Sequence, residues 1–512
     1  MTDGERPTPA EPGGSNSHLS IDHLEGDLKG RSVRGTAAMV LSEGGRFGIR
    51  MLGVAVLARL LTPADFGLLA MVATFTRLIQ LFRDLGLGTV TVQRTDIREE
   101  QVSYLFWVNV AAGAVSTLLT AAFAPVAAWF YGEPDLTGIT LVLATGFLFG
   151  GVSVQHQALM RRQMKFSALA WIRVAASIGS VAVGVVAALQ GAGYWALVAM
   201  SLASAVIMTV GLWLICGWRP GPPRRGDEAT RALLAFGGNL TGTRLLGFFA
   251  RNLDNILIGK VWGGEALGLY SKAYQLLMLP ITQFTAPVTG VVVPALSRLQ
   301  DDPERFRSYY RQAIQALSSL TMPIVVFTFV AADELVLLVL GPQWGSTAVI
   351  FRLLVPAAFV GTFNGAAGWV WVALNQTDRQ LRWGILSTPV YIAAFAVGVV
   401  WGPEGVAIAF SVAQCVLRYA GLSFCYQTNF LGFPDLWAAI WRPSVASIAA
   451  GTLVFALAAS GVGLPLGSLA SLIGMLAAYG IAYLLLWLCL PGGRRALASM
   501  LALSLELRSK ER

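Results

Sequence analysis

Residues 193–216 read GYWALVAMSLASAVIMTVGLWLIC, 24 positions without one charged side chain. A helix of that length is about 36 Å long, enough to cross a hydrocarbon core of about 30 Å. Inside lipid every backbone N–H and C=O must be satisfied within the segment or a closed sheet, so a run of this kind reads as a membrane-spanning helix. Working outward, comparable runs recur at about 36–60, 65–88, 103–130, 137–159, 167–189, 233–259, 267–296, 312–331, 346–373, 383–401, 405–426, 443–461 and 467–490. The expectation is an all-α integral membrane protein of fourteen spans.

Composition agrees. Of 512 residues 55% are hydrophobic and 13% charged, with a mean hydropathy of +0.63. Ordinary soluble domains carry roughly 45–50% apolar and about 25% charged residues. The first 35 residues are polar and rich in Pro, Gly and Ser, with no apolar run after the early charges, so a disordered tail is expected there rather than a cleavable signal peptide. The net charge of +9 does not point to nucleic acid, because the basic residues are scattered through short loops.

Those loops orient the chain. With fourteen spans, the tail, the loops after even-numbered spans and the C-terminus hold 25 Lys and Arg; the opposite set holds Lys260 alone. Basic residues stay on the cytoplasmic side, and a miscounted helix would scramble every later loop, so both termini are expected on the cytoplasmic side of the membrane. The longest segment on the other side covers about 332–345, with Asp333, Glu334 and Trp344 and no basic residue. Tryptophans such as Trp107, Trp129, Trp213 and Trp218 lie near span ends and read as interface anchors.

The chain echoes itself. Gly44-Gly45 and Arg50-Met-Leu-Gly53 return as Gly237-Gly238 and Arg244-Leu-Leu-Gly247, and Phe66-Gly67-Leu68 returns 201 positions later as Leu267-Gly268-Leu269. Six spans lie between the copies, an even number, so both copies share one orientation and imply an axis along the membrane normal. The expected organisation is a tail over 1–35, a six-helix lobe over 36–217, a cytoplasmic linker over 218–232, a second six-helix lobe over 233–430, two additional spans within 431–492 and a cytoplasmic tail over 493–512, with a central cavity between the lobes.

Eleven basic residues fall inside spans. A basic side chain at mid-bilayer costs about 2.5–3.5 kcal/mol on insertion scales, so these groups must face water or partners. Glu43, Arg46 and Arg50 share one helix face at i, i+3 and i+7, which pairs Glu43 with Arg46 and leaves Arg50 less compensated. Arg244, Arg251 and Asn255 form a second stripe with Asp254 beside it, and Arg77, Arg173 and Lys272 add further charge. Two readings stay open: structural ion pairs tying helices together, or the lining of a basic, water-filled space that attracts anions. Glu43, Asp84 and Asp254 read either as ion or proton carriers or as local charge balance.

Soluble catalysis is disfavoured. Only three histidines occur, and Cys216, Cys415, Cys425 and Cys489 lack the short paired spacing of a metal or redox site. No Gly-x-x-x-x-Gly-Lys motif is present, so nucleotide-driven transport within this chain is not expected. A membrane polymerase or ligase would need large loops on the non-cytoplasmic side, and these are short. No catalytic residue, metal or cofactor is therefore expected.

The stretch from Leu61-Thr-Pro-Ala-Asp-Phe-Gly-Leu-Leu-Ala-Met-Val72 through Asp84-Leu-Gly-Leu-Gly88 to Gln93-Arg94 resembles the lipopolysaccharide biosynthesis proteins of the polysaccharide transporter family. The likeness resumes at His156-Gln-Ala-Leu-Met-Arg161, Met164-Lys-Phe166, Arg251-Asn-Leu-Asp-Asn255, Leu257-Ile-Gly259, Ala266-Leu-Gly-Leu-Tyr270, Ala273-Tyr274, Leu279-Pro280 and Pro294-Ala-Leu-Ser-Arg-Leu-Gln300. In combination these motifs are similar to the Wzx-type flippase branch of the multidrug, oligosaccharidyl-lipid and polysaccharide exporter superfamily. The resemblance implies a MATE-like fold and the flipping of undecaprenyl-diphosphate-linked oligosaccharide for surface polysaccharide assembly, with a polymerase and glycosyltransferases of the same pathway as partners. A lipid II-type flippase and a MATE-like small-molecule antiporter are the alternatives. Coupling to a proton or a sodium gradient is compatible with each of these readings.

Overall fold

In a computed structural model, residues 28–83, 87–93, 97–222, 228–363, 365–460 and 469–494 are described, and these contain helices and no strand. In chain order the helices are α1 (Leu28–Leu60), α2 (Pro63–Arg83), α3 (Leu87–Gln93), α4 (Glu99–Tyr131), α5 (Asp135–Ala144), α6 (Gly146–Arg162), α7 (Phe166–Leu189), α8 (Trp195–Cys216) and α9 (Glu228–Arg298). They continue with α10 (Pro303–Val330), α11 (Ala332–Val339), α12 (Gly345–Gly361), α13 (Gly365–Ala373), α14 (Thr377–Gly398), α15 (Gly402–Tyr426), α16 (Phe433–Ala459) and α17 (Leu469–Cys489).

Ten helical segments among the described residues are long and apolar enough to cross a membrane. Two of them, of 47 and 50 residues, are each long enough for two crossings. Both are interrupted by a glycine in the left-handed region, Gly263 at φ +78° and Gly402 at φ +77°, a conformation that a Cβ disfavours. The breaks fall where the hydropathy placed the turns at 260–266 and 402–404. Large apolar side chains such as Leu118, Trp129 and Leu214 stand exposed, as a bilayer-facing surface requires.

Local chemistry sets the helix ends. Thr62-Pro63-Ala64-Asp65 is a capping box: the Thr62 N–H and hydroxyl both donate to Asp65 Oδ2 at 2.8 Å, and the Asp65 N–H donates to Thr62 Oγ1 at 3.3 Å. Pro63 sits at the first helical position, where its missing N–H costs nothing. Asp302 caps α10 before Pro303, its side chain accepting from the Arg305 N–H at 3.2 Å.

The chain divides into two units. The first comprises Met1–Gly53, Thr76–Ala128 and Pro134–Gly242; the second comprises Val54–Phe75, Trp129–Glu133 and Thr243–Arg512. In the first unit, Leu105, Phe106, Leu159, Ile172, Leu212 and Trp218 belong to a buried cluster. His156 lies in the same place, stacked on Trp213 at 4.4 Å and edge-on to Trp218. Trp218 is thus core rather than an interface anchor. Helices α4 and α6 approach through glycines: a Cβ on Gly113 would stand 2.7 Å from the Phe147 carbonyl, and one on Gly151 2.6 Å from that of Asn109. Lipid offers no hydrophobic drive between helices, so close backbone approach supplies the dispersion contact instead.

In the second unit, Phe306, Tyr310, Trp369, Tyr426 and Leu436 belong to a buried cluster, with the Tyr310 and Tyr426 hydroxyls 2.6 Å apart. The segment 332–345 is not an open loop. It folds as α11 and a 3-10 turn over Pro342–Trp344, and the turn supplies donors to the end of α1, whose last carbonyls have none within the helix. Ala58 O accepts from Trp344 Nε1 at 2.9 Å and Gln343 Nε2 at 2.6 Å, and Leu338 O accepts from Arg59. Trp344 is fully buried there, edge-on to Phe66.

The echoed motifs meet in this unit. A Cβ on Gly67 would stand 1.7 Å from Gly264 O, and one on Gly268 would stand 1.9 Å from Pro63 O. Gly67 and Gly268 are 201 positions apart, as are Pro63 and Gly264, so each contact is the image of the other. Reciprocity of this kind is the signature of a two-fold contact between equivalent surfaces.

Candidate functional site

Helix α1 packs on α7 within the first unit, where Gly53 faces Val181 at a distance no Cβ could keep. The same pairing brings charges together from both helices. Arg46 Nη1 donates to Glu43 Oε1 at 2.7 Å, Arg173 Nη1 reaches the same oxygen at 3.3 Å, and Arg46 Nε donates to Ser177 Oγ at 3.4 Å. Two guanidiniums share one carboxylate, which leaves a net charge of one. Arg50, one turn farther along the stripe, is exposed and has no ion pair among the described residues. The α1–α7 face therefore presents two uncompensated positive charges.

Both guanidiniums of the triad are partly buried, at 22% and 18% exposure, so their residual charge is only partly screened. Such a face holds an anion through charge-assisted hydrogen bonds from planar, fork-shaped donors, for which phosphate oxygens are matched acceptors. Arg77, also in the first unit, is exposed and without an ion pair among the described residues.

The second unit holds the other candidates. Asp254 is buried; its Oδ2 accepts from the Tyr270 hydroxyl at 3.0 Å and its Oδ1 from the Asn255 N–H at 2.8 Å. Lys272 is buried with its ammonium 4.2 Å from the centre of the Phe66 ring and 3.1 Å from Gln275 Oε1. Ring quadrupole and amide oxygen replace part of its hydration. Asn255 is half-buried beside Asp254. The side chains of Arg244 and Arg251 and the whole of Asp84 lie outside the described residues.

A polar, aromatic cavity of about 410 Å³ lies inside the second unit. Helix α14 contributes Gln380, Ser387 and Tyr391, helix α15 contributes Gln414 and Arg418, and α13 contributes Trp371. Asp254 and Tyr274 of α9 also line it. Arg418 is half-buried, and no carboxylate pairs with it among the described residues. Arg418 is one of the eleven basic residues inside spans and lies outside the echoed motifs. The signal was present: 410, 414, 418 and 421 on α15 and 380, 384, 387 and 391 on α14 are spaced as single helix faces. Among the described residues no cluster of His, Cys, Asp and Glu could hold a metal ion.

Comparison with known proteins adds the following. A family model described as polysaccharide biosynthesis protein matches residues 56–349. The lipopolysaccharide biosynthesis protein WzxC of Escherichia coli (strain K12) is 23% identical over 376 residues, 72% of this chain and 75% of its own. The solved lipid II flippase MurJ, in an inward closed conformation, matches with a TM-score of 0.70 at 14% identity over 87% of this chain and 98% of its own. An inward-facing multidrug resistance MATE transporter of the MOP superfamily matches with a TM-score of 0.59 at 14% identity, over 78% and 95% of the two chains. The chain shares the fold of these transporters.

Proposed function

We propose that this chain, which belongs to the polysaccharide biosynthesis protein family, flips a lipid-diphosphate-linked oligosaccharide across a bacterial inner membrane by alternating access, with both termini in the cytoplasm. The observation that carries the reading is the α1–α7 face, where Arg46 and Arg173 share Glu43 and Arg50 stands unpaired. A diphosphate leaving water loses hydration worth far more than a neutral group does, and fixed guanidinium donors replace it while the lipid tail stays in the bilayer. Outward movement of an anion is favoured by an inside-negative potential, by about 2.3 kcal/mol per charge per 100 mV. Proton or sodium coupling is compatible with the same cycle.

A cation antiporter is a weaker reading, because Glu43 is bonded to two guanidiniums and Asp254 to Tyr270 and a backbone N–H. The function proposed is transport, not catalysis. Its test is complementation of a deletion strain with Arg46→Ala/Arg50→Ala. Surface polysaccharide on lectin blots should fall at least tenfold while the protein remains at wild-type level in the membrane fraction. Normal export by that variant would refute the reading. Loss of viability rather than of surface glycan on deletion would redirect it to lipid II.

A further inference from the structure

The α14–α15 cavity is lined by one guanidinium, Arg418, and one carboxylate, Asp254, and the carboxylate is bonded to the Tyr270 hydroxyl and the Asn255 N–H. Burial of a guanidinium is tolerated when a carboxylate or backbone oxygen takes its donors. Arg418 Nε is buried without a hydrogen-bond partner, and so is the indole Nε1 of Trp371, whose side chain is 5% exposed. Both residues line the same cavity, and each carries a buried donor that the protein itself leaves unmatched. Buried donors normally find acceptors, and a cavity with two that lack them is shaped for a ligand rich in oxygen.

The walls narrow the ligand further. Tyr391 is stacked on Phe395 and tilted to Phe410, and its hydroxyl donates to Gln414 Oε1. Trp383 lies against the backbone of α15, where Gly421 alone permits it: a Cβ there would stand 2.9 Å from the indole. Flat aromatic faces with a negative quadrupole accept the C–H faces of pyranose rings, while amide and hydroxyl groups between them address the equatorial oxygens. A volume of about 410 Å³ lies at the small end of ligand cavities, enough for one or two rings and not for a whole repeat unit. The cavity extends along α14 from exposed Gln380 to buried Phe395. Gln380 stands at the end of α14 next to Arg379 and Arg382, the cytoplasmic end by charge.

We infer that this cavity is a saccharide subsite selective for a sugar bearing a carboxylate, with Arg418 pairing the carboxylate and the Trp371 indole donating to a ring or hydroxyl oxygen. The inference rests on the flipping reading and names the class of glycan: an acidic one, of uronic type. It assigns glycan contact to the second unit and the phosphate to the α1–α7 face of the first.

The test uses the purified full-length chain in detergent, with D-glucuronate, D-glucose, acetate and inorganic phosphate as probes in saturation-transfer NMR and thermal-shift titrations. Glucuronate should bind, glucose at least about tenfold more weakly, and acetate and phosphate should not compete at equal concentration. Arg418→Gln should weaken glucuronate about tenfold or more, the scale of a lost charge-assisted pair, and Trp371→Phe, which keeps the ring, by less. If Arg418→Gln fails to fold, the wild-type selectivity and Trp371→Phe decide alone. Absence of glucuronate binding, equal binding of glucose, equal competition by phosphate, or indifference to both substitutions would each overturn the inference. Such a failure beside lost export in Arg46→Ala/Arg50→Ala leaves the flipping reading standing; glucuronate binding beside normal export in that variant overturns flipping alone.

Discussion

Replacing Gly67 by alanine tests the reciprocal contact of the echoed motifs. The added Cβ would stand 1.7 Å from Gly264 O, and the same change at Gly268 would put a Cβ 1.9 Å from Pro63 O. Carbon and oxygen do not approach closer than about 3 Å, so the two backbones must part by more than about 1 Å at each site. The obstructing atoms are carbonyls held in helices and turns, not flexible side-chain ends, so relief by rotamer change is closed. Overpacking of this kind costs about 1–3 kcal/mol and here belongs at the upper end. A cost of about 3 kcal/mol is roughly a hundredfold in an equilibrium between contact made and contact broken. Gly48→Ala is the matched control, since nothing lies within 4 Å of its Cβ position; in a helix it should gain about 0.5–1 kcal/mol. Thermal unfolding in detergent and glycan export in a deletion strain are the measurements. Gly67→Ala should lower the melting temperature or, where the protein repopulates another state, abolish export at unchanged melting temperature, and the Gly67→Ala/Gly268→Ala pair should be worse than either alone. Wild-type melting and wild-type export in Gly67→Ala would refute the contact.

Other outcomes follow from the same geometry. Trp344→Phe removes one of the donors to Ala58 O while keeping the ring beside Phe66; it should cost about 1 kcal/mol, read as a lower melting temperature. Asp435→Asn should cost about 1–3 kcal/mol, because this buried carboxylate is bonded to Arg311, lies 3.5 Å from Arg307 and accepts from the Gly432 N–H; no change in stability would contradict the pairing. Lys272→Met exchanges a buried ammonium for an apolar chain of similar length against Phe66. Stability should hold or rise, so lost export with an intact melting curve would identify the charge as functional, whereas retained export would make Lys272 a packing residue.

The all-helical membrane class and the turns at Gly263 and Gly402 were legible in the sequence, because hydropathy over about 20 residues reports directly on the solvent each segment meets. The Glu43–Arg46 pair was legible too, since i and i+3 are neighbours on any helix. Arg173 joining Glu43, Lys272 resting on Phe66 and Ala58 O capped by Trp344 were not, for each pair is separated by 130 or more positions. The echo of Phe66-Gly67-Leu68 in Leu267-Gly268-Leu269 could be read from the chain, but not that the copies touch. Arg418 could be counted inside a span, yet its cavity exists only once α9, α13, α14 and α15 surround it. Periodicity and hydropathy are local quantities; which face of one helix meets which face of another is decided by packing and by the matching of donors to acceptors across the fold, and tertiary structure alone supplies that information.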